Sequence, residues 1–142
     1  MYELTKSPMV SCSRDTTIRD AADLMRAENV GCVLVLDEQG RLAGLVTDRD
    51  LAVRALAPGI DAATPVRAVM TDNVAWAPEG VDVFEAATLM AERGCRRLPL
   101  LDAGGRVTSV LALDDLLPLF ARQIDKLART MGSESRAPTR PV

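Results

Sequence analysis

The segment G-L-V-T-D-R-D-L, residues 44–51, carries the most structural information in this chain. It opens with an apolar run of the kind that forms a buried strand. Thr47 ends that run, and the following D-R-D-L-A-V-R-A-L returns to the spacing of an amphipathic helix. We therefore predict a strand that passes directly into a helix, with Thr47 and Asp50 at the junction.

An internal repeat places a related junction in the second half of the chain. A shift of 65 residues, the separation of Asp50 and Asp115, aligns the two halves without a gap. Three separate clusters match at this one offset, namely 21–25 with 86–90, 37–41 with 102–106, and 50–51 with 115–116. A single offset that holds through three clusters indicates a duplication.

Both halves predict the same order of elements. The first half predicts a helix over 15–29 with Asp15 or Thr16 as its cap, and then strands over 30–37 and 41–47. The second half predicts the equivalent elements as a helix over 83–93, strands over 97–101 and 106–111, and a helix from Asp114. One such unit cannot cover both faces of its own sheet, so we predict an α/β (α+β) fold in which two units pack face to face.

The repeat also predicts the division of the chain. The first repeat occupies residues 1–57, a Pro/Gly linker 58–65, and the second repeat 66–124. Residues 125–142 are expected to continue the last helix and to end in a disordered Pro- and Ser-rich tail.

Composition argues against several classes of function. With 17 Lys and Arg against 20 Asp and Glu, the net charge of −3 disfavours nucleic-acid binding. The chain has no histidine, which excludes an imidazole base and most catalytic zinc sites. Neither a Walker-type loop nor a nucleophile elbow accompanies the acidic pairs 48/50 and 114/115. We predict that the protein is not an enzyme and has no metal site and no obligatory cofactor.

The cysteines and the apolar runs predict a cytoplasmic location without a membrane partner. Cys12, Cys32 and Cys95 lie far apart in apolar contexts, an odd number that is typical of reduced thiols. No apolar run reaches the length of a membrane span, and the first residues lack the apolar core of a signal peptide.

These features together resemble a tandem pair of cystathionine β-synthase-type (CBS) domains, or Bateman module. Residues 44–51 match the family's G-h-h-T-x-x-D junction in full, and L-P-L-L-D at 98–102 resembles its strand ending. The V-x-x-V-M-T opening of a repeat is found at 66–71, so the resemblance covers roughly residues 4–121. It implies two β-α-β-β-α repeats related by a pseudo-twofold axis, with a cleft between them that binds adenine nucleotides.

The resemblance implies roles for the junction residues. Asp50 would accept hydrogen bonds from the ribose hydroxyls, and Thr47 would donate its hydroxyl to a phosphate near the helix N-terminus. The alternative is that Thr47 ends the strand and Asp50 caps the helix. By resemblance the adenine would lie against the opening segment and first strand of the same repeat, at Thr5, Val10, Val30, Gly31 and Cys32. The apolar members of this set are also compatible with plain core positions.

The phosphate would reach Arg96 and Arg97 of the other repeat, and Arg49 could face it as well. Adjacent strand side chains point to opposite faces, so one of the pair is enough, and the alternative is two solvated arginines. The equivalent second site lacks these features, because Ala112 replaces the threonine, Ser109 the glycine, and Gly31 and Cys32 the arginines. We therefore predict at most one nucleotide per chain.

The sequence thus predicts a stand-alone regulatory pair that senses AMP, ATP or a related adenosyl ligand and signals to an unidentified protein. The alternative is a dimerisation or docking module that needs no ligand. A homodimer through the CBS helices is expected in both cases. The helix residues that could face either a second chain or the chain's own core are Leu24, Met25, Leu89 and Met90.

Overall fold

A computed structural model describes residues 9–134 of the chain. These residues form two three-stranded sheets and four helices. In chain order the elements are β1 (Ser11–Ser13), α1 (Ile18–Glu28), β2 (Cys32–Leu36), β3 (Leu42–Thr47), α2 (Asp48–Asp50, continued by a π-helical run Leu51–Leu56), a 3-10 turn (Val66–Ala68), β4 (Ala77–Pro78), α3 (Val83–Arg93), β5 (Arg97–Leu101), β6 (Val107–Ala112) and α4 (Leu113–Glu134).

The two sheets have the same topology. The strand orders are β1-β2-β3 and β4-β5-β6, in which the first pair is parallel and the second antiparallel. The hairpins even share an irregularity, at Val35/Leu36 and at Leu100/Leu101. Two β-α-β-β-α units are therefore confirmed. The shift in strand register is repeated in the second unit along with the regular elements.

An aspartate fixes the turn of each hairpin. The Asp37 carboxylate accepts hydrogen bonds from the backbone N–H groups of Gln39 and Arg41, at 2.9 and 2.8 Å. Asp102 does the same in the second repeat. Gly40 closes the first turn with φ of 76°, a conformation that glycine adopts without steric cost.

The cap of α1 differs from the prediction. Thr17 is the N-cap, and its hydroxyl accepts the N–H of Asp20 at 3.1 Å. Thr16 instead accepts the backbone N–H of Ser13, and Asp15 forms an ion pair with Arg67. Asp15 and Thr16 were thus the wrong choices, because Thr16 bonds to the turn that precedes the helix and Asp15 pairs with a residue far along the chain.

Three apolar clusters organise the core. Two of them pack each pair of helices against its own sheet, around Met25 in the first repeat and Met90 in the second. The third lies between the sheets and is built from both repeats, by Leu34, Leu101, Val107 and Val110 with half-buried Leu36, Leu42 and Leu45. Burial of this third cluster confirms the predicted face-to-face packing.

The opening segment of the second repeat crosses to the first. Val66 and Val69 are buried in the first repeat's core, and Leu45 of β3 exchanges backbone hydrogen bonds with Thr71 at 2.9 and 2.8 Å. Gly44 permits this approach, since a Cβ there would lie 2.6 Å from the Met70 sulfur and 2.8 Å from the Thr71 carbonyl oxygen. The repeats are therefore interlocked as well as packed face to face.

The helix residues with two possible roles serve the chain's own core. Met25 and Met90 are buried, and Leu24 and Leu89 pack half-buried against the same clusters. Among residues 9–134, no helix combines the length and the apolar character needed to cross a membrane.

Candidate functional site

The junction at the end of β3 is a reciprocal cap. The N–H of Asp50 donates to the Thr47 hydroxyl at 3.1 Å, and the N–H of Thr47 donates to an Asp50 carboxylate oxygen at 2.9 Å. The capping role that the sequence allowed is thus present. It leaves the hydroxyl hydrogen of Thr47 for another acceptor, because the threonine oxygen is an acceptor in this bond.

The Asp50 carboxylate is held in place on both sides. Its second oxygen lies 3.6 Å from Nε of Arg54, and its side chain is only 14% exposed. Arg54 in turn donates to the backbone oxygen of Val69, in the segment that crosses from the second repeat. A carboxylate oxygen has more than one lone pair, so Asp50 can accept further hydrogen bonds while it caps the helix.

Thr47 and Asp50 line a cleft whose opposite wall comes from the second repeat. This first cleft has a volume of about 320 Å³. Thr47 and Arg97 also line a wider opening of about 540 Å³, which is bordered by Asp48, Arg49 and Arg96. The second repeat contributes the opening segment and the start of β5, at Thr71, Asn73, Val74, Ala75, Arg93, Gly94, Cys95 and Arg97.

A second cleft of about 300 Å³ is lined by four of the five residues that were predicted to hold the adenine. Val10 and Val30 line this cleft and not the one beside Asp50. Gly31 and Cys32 border both it and the wider opening, while Thr5 lies outside the described residues. The predicted set is therefore split between two clefts, because the junction of the first repeat faces the opening segment of the second repeat.

The two clefts are equivalent under the repeat but differ in charge. Val10 and Val30 of the second cleft correspond to Ala75 and Cys95 of the first, at the 65-residue offset. At the same offset, Glu28 of the second cleft stands where the first has Arg93. An anion is therefore favoured in the first cleft.

The predicted arginine pair lies at the start of β5, and both members border the wider opening. Arg97 lines both clefts and donates to the backbone oxygen of Arg96 at 3.2 Å. Arg96 is 75% exposed at the rim of the wider opening, 3.9 Å from the Asp114 carboxylate. Arg49 borders the same opening. Arg93 was missed, although its position in the last turn of a helix leading to the cleft could have identified it.

The pKa of the Cys32 thiol is affected by burial and by the charges around the junction. Burial raises the pKa of Cys32 to about 11, and Asp50 and Asp48 add to the rise, while Arg97 lowers it by favouring the thiolate. Cys32 pairs with Thr47 in the sheet, so these charged groups converge on the end of β3. At neutral pH the thiol is uncharged and acts as an apolar part of the wall.

The second junction keeps only part of this arrangement. The N–H of Ala112 donates to the Asp115 carboxylate at 3.0 Å, as Thr47 does to Asp50. Ala112 has no hydroxyl to return the bond or to reach a ligand. Ser109 stands where the first repeat has Gly44, and its hydroxyl is buried without a hydrogen-bond partner among the described residues.

The part of the chain that the structure describes contains no group of three or more His, Cys, Asp or Glu residues that could hold a metal ion. Cys12, Cys32 and Cys95 are free thiols and are half-buried.

Comparison with known proteins places the chain in one family. The CBS domain family model matches residues 1–56 and 66–122. CBS domain-containing protein YhcV of Bacillus subtilis is 41% identical over 76% of this chain and 76% of its own length. Two further curated relatives are longer, and the matched segment covers 61% and 59% of them.

Solved structures give the same result. The CBS domain pair of protein MJ0100, solved with 5-methylthioadenosine and S-adenosyl-L-methionine, superposes with a TM-score of 0.72 at 28% identity, over 80% of this chain and 92% of that one. The cytosolic domain of the Mg²⁺ channel MgtE, solved with ATP, gives 0.68 at 28% identity, over 78% of this chain and 44% of that one. The chain belongs to the CBS domain family, and its two repeats form a CBS domain pair.

Proposed function

We propose that this chain is a regulatory CBS pair that binds one adenine nucleotide in the first cleft. The observation that carries the proposal is the convergence of the Thr47–Asp50 junction with Arg93 and Arg97 on one space. A hydroxyl, a carboxylate and two guanidinium groups are the partners that a ribose phosphate requires.

The sugar and phosphate positions follow from the chemistry of these groups. Asp50 accepts hydrogen bonds from the ribose hydroxyls, and Thr47 donates its free hydroxyl hydrogen to the first phosphate. Arg97 and Arg93, which belong to the second repeat, bind the phosphates. Arg49 and Arg96 border the wider opening, where a longer phosphate chain would extend.

The adenine is proposed to lie against the second repeat, at Val74, Ala75 and Cys95. These residues share the cleft with Thr47 and Asp50, whereas Val10 and Val30 do not. Gly31 and Cys32 stay in the proposed site as part of the wall beside the junction. The base therefore changes repeat relative to the sequence-based assignment, while the residues for the sugar and phosphates are retained.

Charge favours a phosphorylated ligand over a cationic one. The first cleft and the wider opening are bordered by four arginines, Arg49, Arg93, Arg96 and Arg97, and by two aspartates, Asp48 and Asp50. A net positive site attracts the phosphates of AMP, ADP or ATP and opposes the sulfonium of S-adenosyl-L-methionine. Structurally similar proteins have been solved with both kinds of adenosyl ligand, so the preference for a phosphorylated ligand rests on the charges of this chain.

The proposed role of the chain involves no catalysis. Occupancy of the cleft would bias the contact between the interlocked repeats, and a partner protein would respond to it. We further propose a cytoplasmic homodimer through the CBS helices, with repeats at 1–57 and 66–124 joined by 58–65, and a helical extension and tail over 125–142.

Titration calorimetry with adenosine, AMP, ADP, ATP and S-adenosyl-L-methionine tests the proposal. We expect saturable binding of one nucleotide per chain, weakened at least about 100-fold in Asp50→Ala, because about two charge-assisted hydrogen bonds of 1.5–3 kcal/mol each are lost. Asp115→Ala is the matched control at the equivalent position and should change the affinity less than about twofold. Equal losses in the two variants would contradict the assignment of the first cleft.

The arginines are tested by the same titration. Arg97→Ala and Arg93→Ala should weaken ATP and AMP by about tenfold or more and leave adenosine unchanged, since adenosine has no phosphate. An equal loss for all three ligands would show that these arginines do not contact phosphate.

A docking module without a ligand is the second candidate. The observation that favours it is a set of large apolar side chains that remain exposed on the helices, at Val53, Leu56, Phe84 and Leu117. If a folded, nucleotide-free sample gives no heat with any of the five ligands, this candidate replaces the sensor.

A further inference from the structure

The last helix extends well beyond the repeat to which it belongs. The helical run after Asp50 ends at Leu56, whose equivalent at the 65-residue offset is Ala121. Helix α4 instead continues to Glu134. From Ala121 to Gly132 every side chain is exposed except Gln123, which is half-buried. Apart from Gln123, the extension therefore leaves its side chains exposed in the described part of the chain.

The exposed face of this helix has a regular apolar pattern. Leu117, Ile124 and Met131 recur at seven-residue intervals, and Leu127 lies between the last two. The exposed fraction is 56% for Leu117, 67% for both Ile124 and Leu127, and 73% for Met131. With Phe120 they fill five successive a and d positions of a heptad pattern, the arrangement of a seam between two helices.

The residues beside the seam carry no charge. Ala121, Gln123, Ala128 and Thr130 occupy the flanking e and g positions. The charged side chains lie on the remaining face, where Asp125 and Arg129 form an ion pair at 3.1 Å. A strongly charged partner would find no complementary group beside this seam, whereas an identical helix meets an apolar stripe with neutral edges.

We propose that α4 of one copy packs along α4 of a second copy, through a seam that runs from Leu117 to Met131. At 1.5 Å per residue the seam is about 21 Å long. A free helix of this length is marginal in water, but the buried Leu116 and Leu119 anchor its first turns to the second repeat. Phe84 of α3, whose ring centre lies 5.5 Å from that of Phe120, widens the apolar base.

This inference identifies a specific contact for the homodimer suggested above and does not depend on nucleotide binding. Sedimentation velocity over a range of protein concentrations tests it. We expect a reversible dimer in the wild type, with a dissociation constant that rises by more than about tenfold in Leu127→Glu, because a charge would enter the seam. Lys126→Glu, on the charged face one residue away, is the matched control and should leave the constant within about twofold.

Two further measurements keep the outcomes distinct. Circular dichroism shows whether Leu127→Glu loses helix. If it does, Leu127→Ala replaces it, because alanine favours the helical state, and this variant should also raise the dissociation constant of the dimer. A wild-type tetramer that Leu127→Glu reduces to a dimer also supports the seam. A monomeric wild type, or equal dissociation constants for wild type and Leu127→Glu, overturns it. Binding of a monomer to phosphatidylserine vesicles, lost in Leu127→Glu, would overturn it in favour of a membrane surface.

Discussion

At Gly44 the absence of a side chain determines how closely the two repeats approach. The strand containing it pairs at Leu45 with Thr71, and the space above Gly44 is filled by Met70. The backbone oxygen of Thr71 cannot move away without breaking that pairing. One hydrogen atom in place of a methyl group thus permits the crossing of the opening segment, which forms a wall of the first cleft.

We therefore expect Gly44→Ala to lower the free energy of unfolding by about 1–3 kcal/mol, the range for overpacked sites. Urea denaturation followed by circular dichroism measures the change. Gly80→Ala is the matched control, because a Cβ at Gly80 meets nothing within 4 Å. Equal stability of Gly44→Ala and wild type would mean that the opening segment does not lie as tightly against β3 as described.

Thr47 and Asp50 form a structural cap, and the same two residues are proposed to bind the ribose and phosphate. Their reciprocal hydrogen bonds hold the start of α2, and the same bonds orient the Asp50 carboxylate toward the cleft. The capping and binding interpretations of the sequence are therefore compatible, because each side chain retains hydrogen-bonding capacity beyond the cap.

At the scale of elements, the two equivalent helices α1 and α3 end in the same way with different residues. Asn29 and Gly94 both adopt the left-handed conformation, with φ of 53° and 61°. Each N–H returns to a carbonyl of the preceding turn, which closes the helix before the next strand. Asparagine and glycine are the residues that tolerate this conformation best.

Gly94→Ala should accordingly lower the free energy of unfolding by about 1–2 kcal/mol, since alanine is strained at positive φ. Gly94→Asn should cost less, because asparagine already holds the equivalent position in the first repeat. Thermal and urea unfolding of the two variants provide the comparison. If alanine and asparagine were equally tolerated, the left-handed end of α3 would not be a constraint on the sequence.

At the scale of the whole molecule, the shared core ties the repeats into a single folding unit. The cluster between the sheets takes residues from both repeats, and Val66 and Val69 of the second repeat lie in the core of the first. Neither repeat can lose its packing without exposing apolar surface of the other. We expect unfolding in one cooperative transition.

Leu34→Ala tests this coupling, because Leu34 is 1% exposed in the cluster between the sheets. The variant should be destabilised by about 2–5 kcal/mol. Trp76 lies in the second repeat. The midpoint of the unfolding transition followed by its fluorescence should shift together with the midpoint followed by circular dichroism. Met9→Ala, at a position 44% exposed, should change stability by less than about 0.5 kcal/mol. A Trp76 transition that Leu34→Ala leaves unmoved would indicate that the repeats unfold independently.

Local sequence determined the elements of this protein. We could predict the junction at residues 44–51 and the strand over Arg97–Leu101 from the sequence, because periodicity and turn residues act over a few neighbours. The 65-residue repeat was also predictable, because the same local patterns occur twice. The choice of Thr17 over Thr16 as a cap was not readable, since both hydroxyls are in range and only the turn at Ser13 decides between them.

The tertiary structure decided how the repeats share their sites. In a duplicated chain, an opening segment can face the junction of its own repeat or that of the other, and both pairings satisfy the same local pattern. The close approach of Met70 and Thr71 to Gly44 selects the exchanged pairing in the first cleft. It brings Arg93, Ala75 and Cys95 to Asp50, residues that no short-range rule connects to it, because their proximity exists only once two distant segments pack.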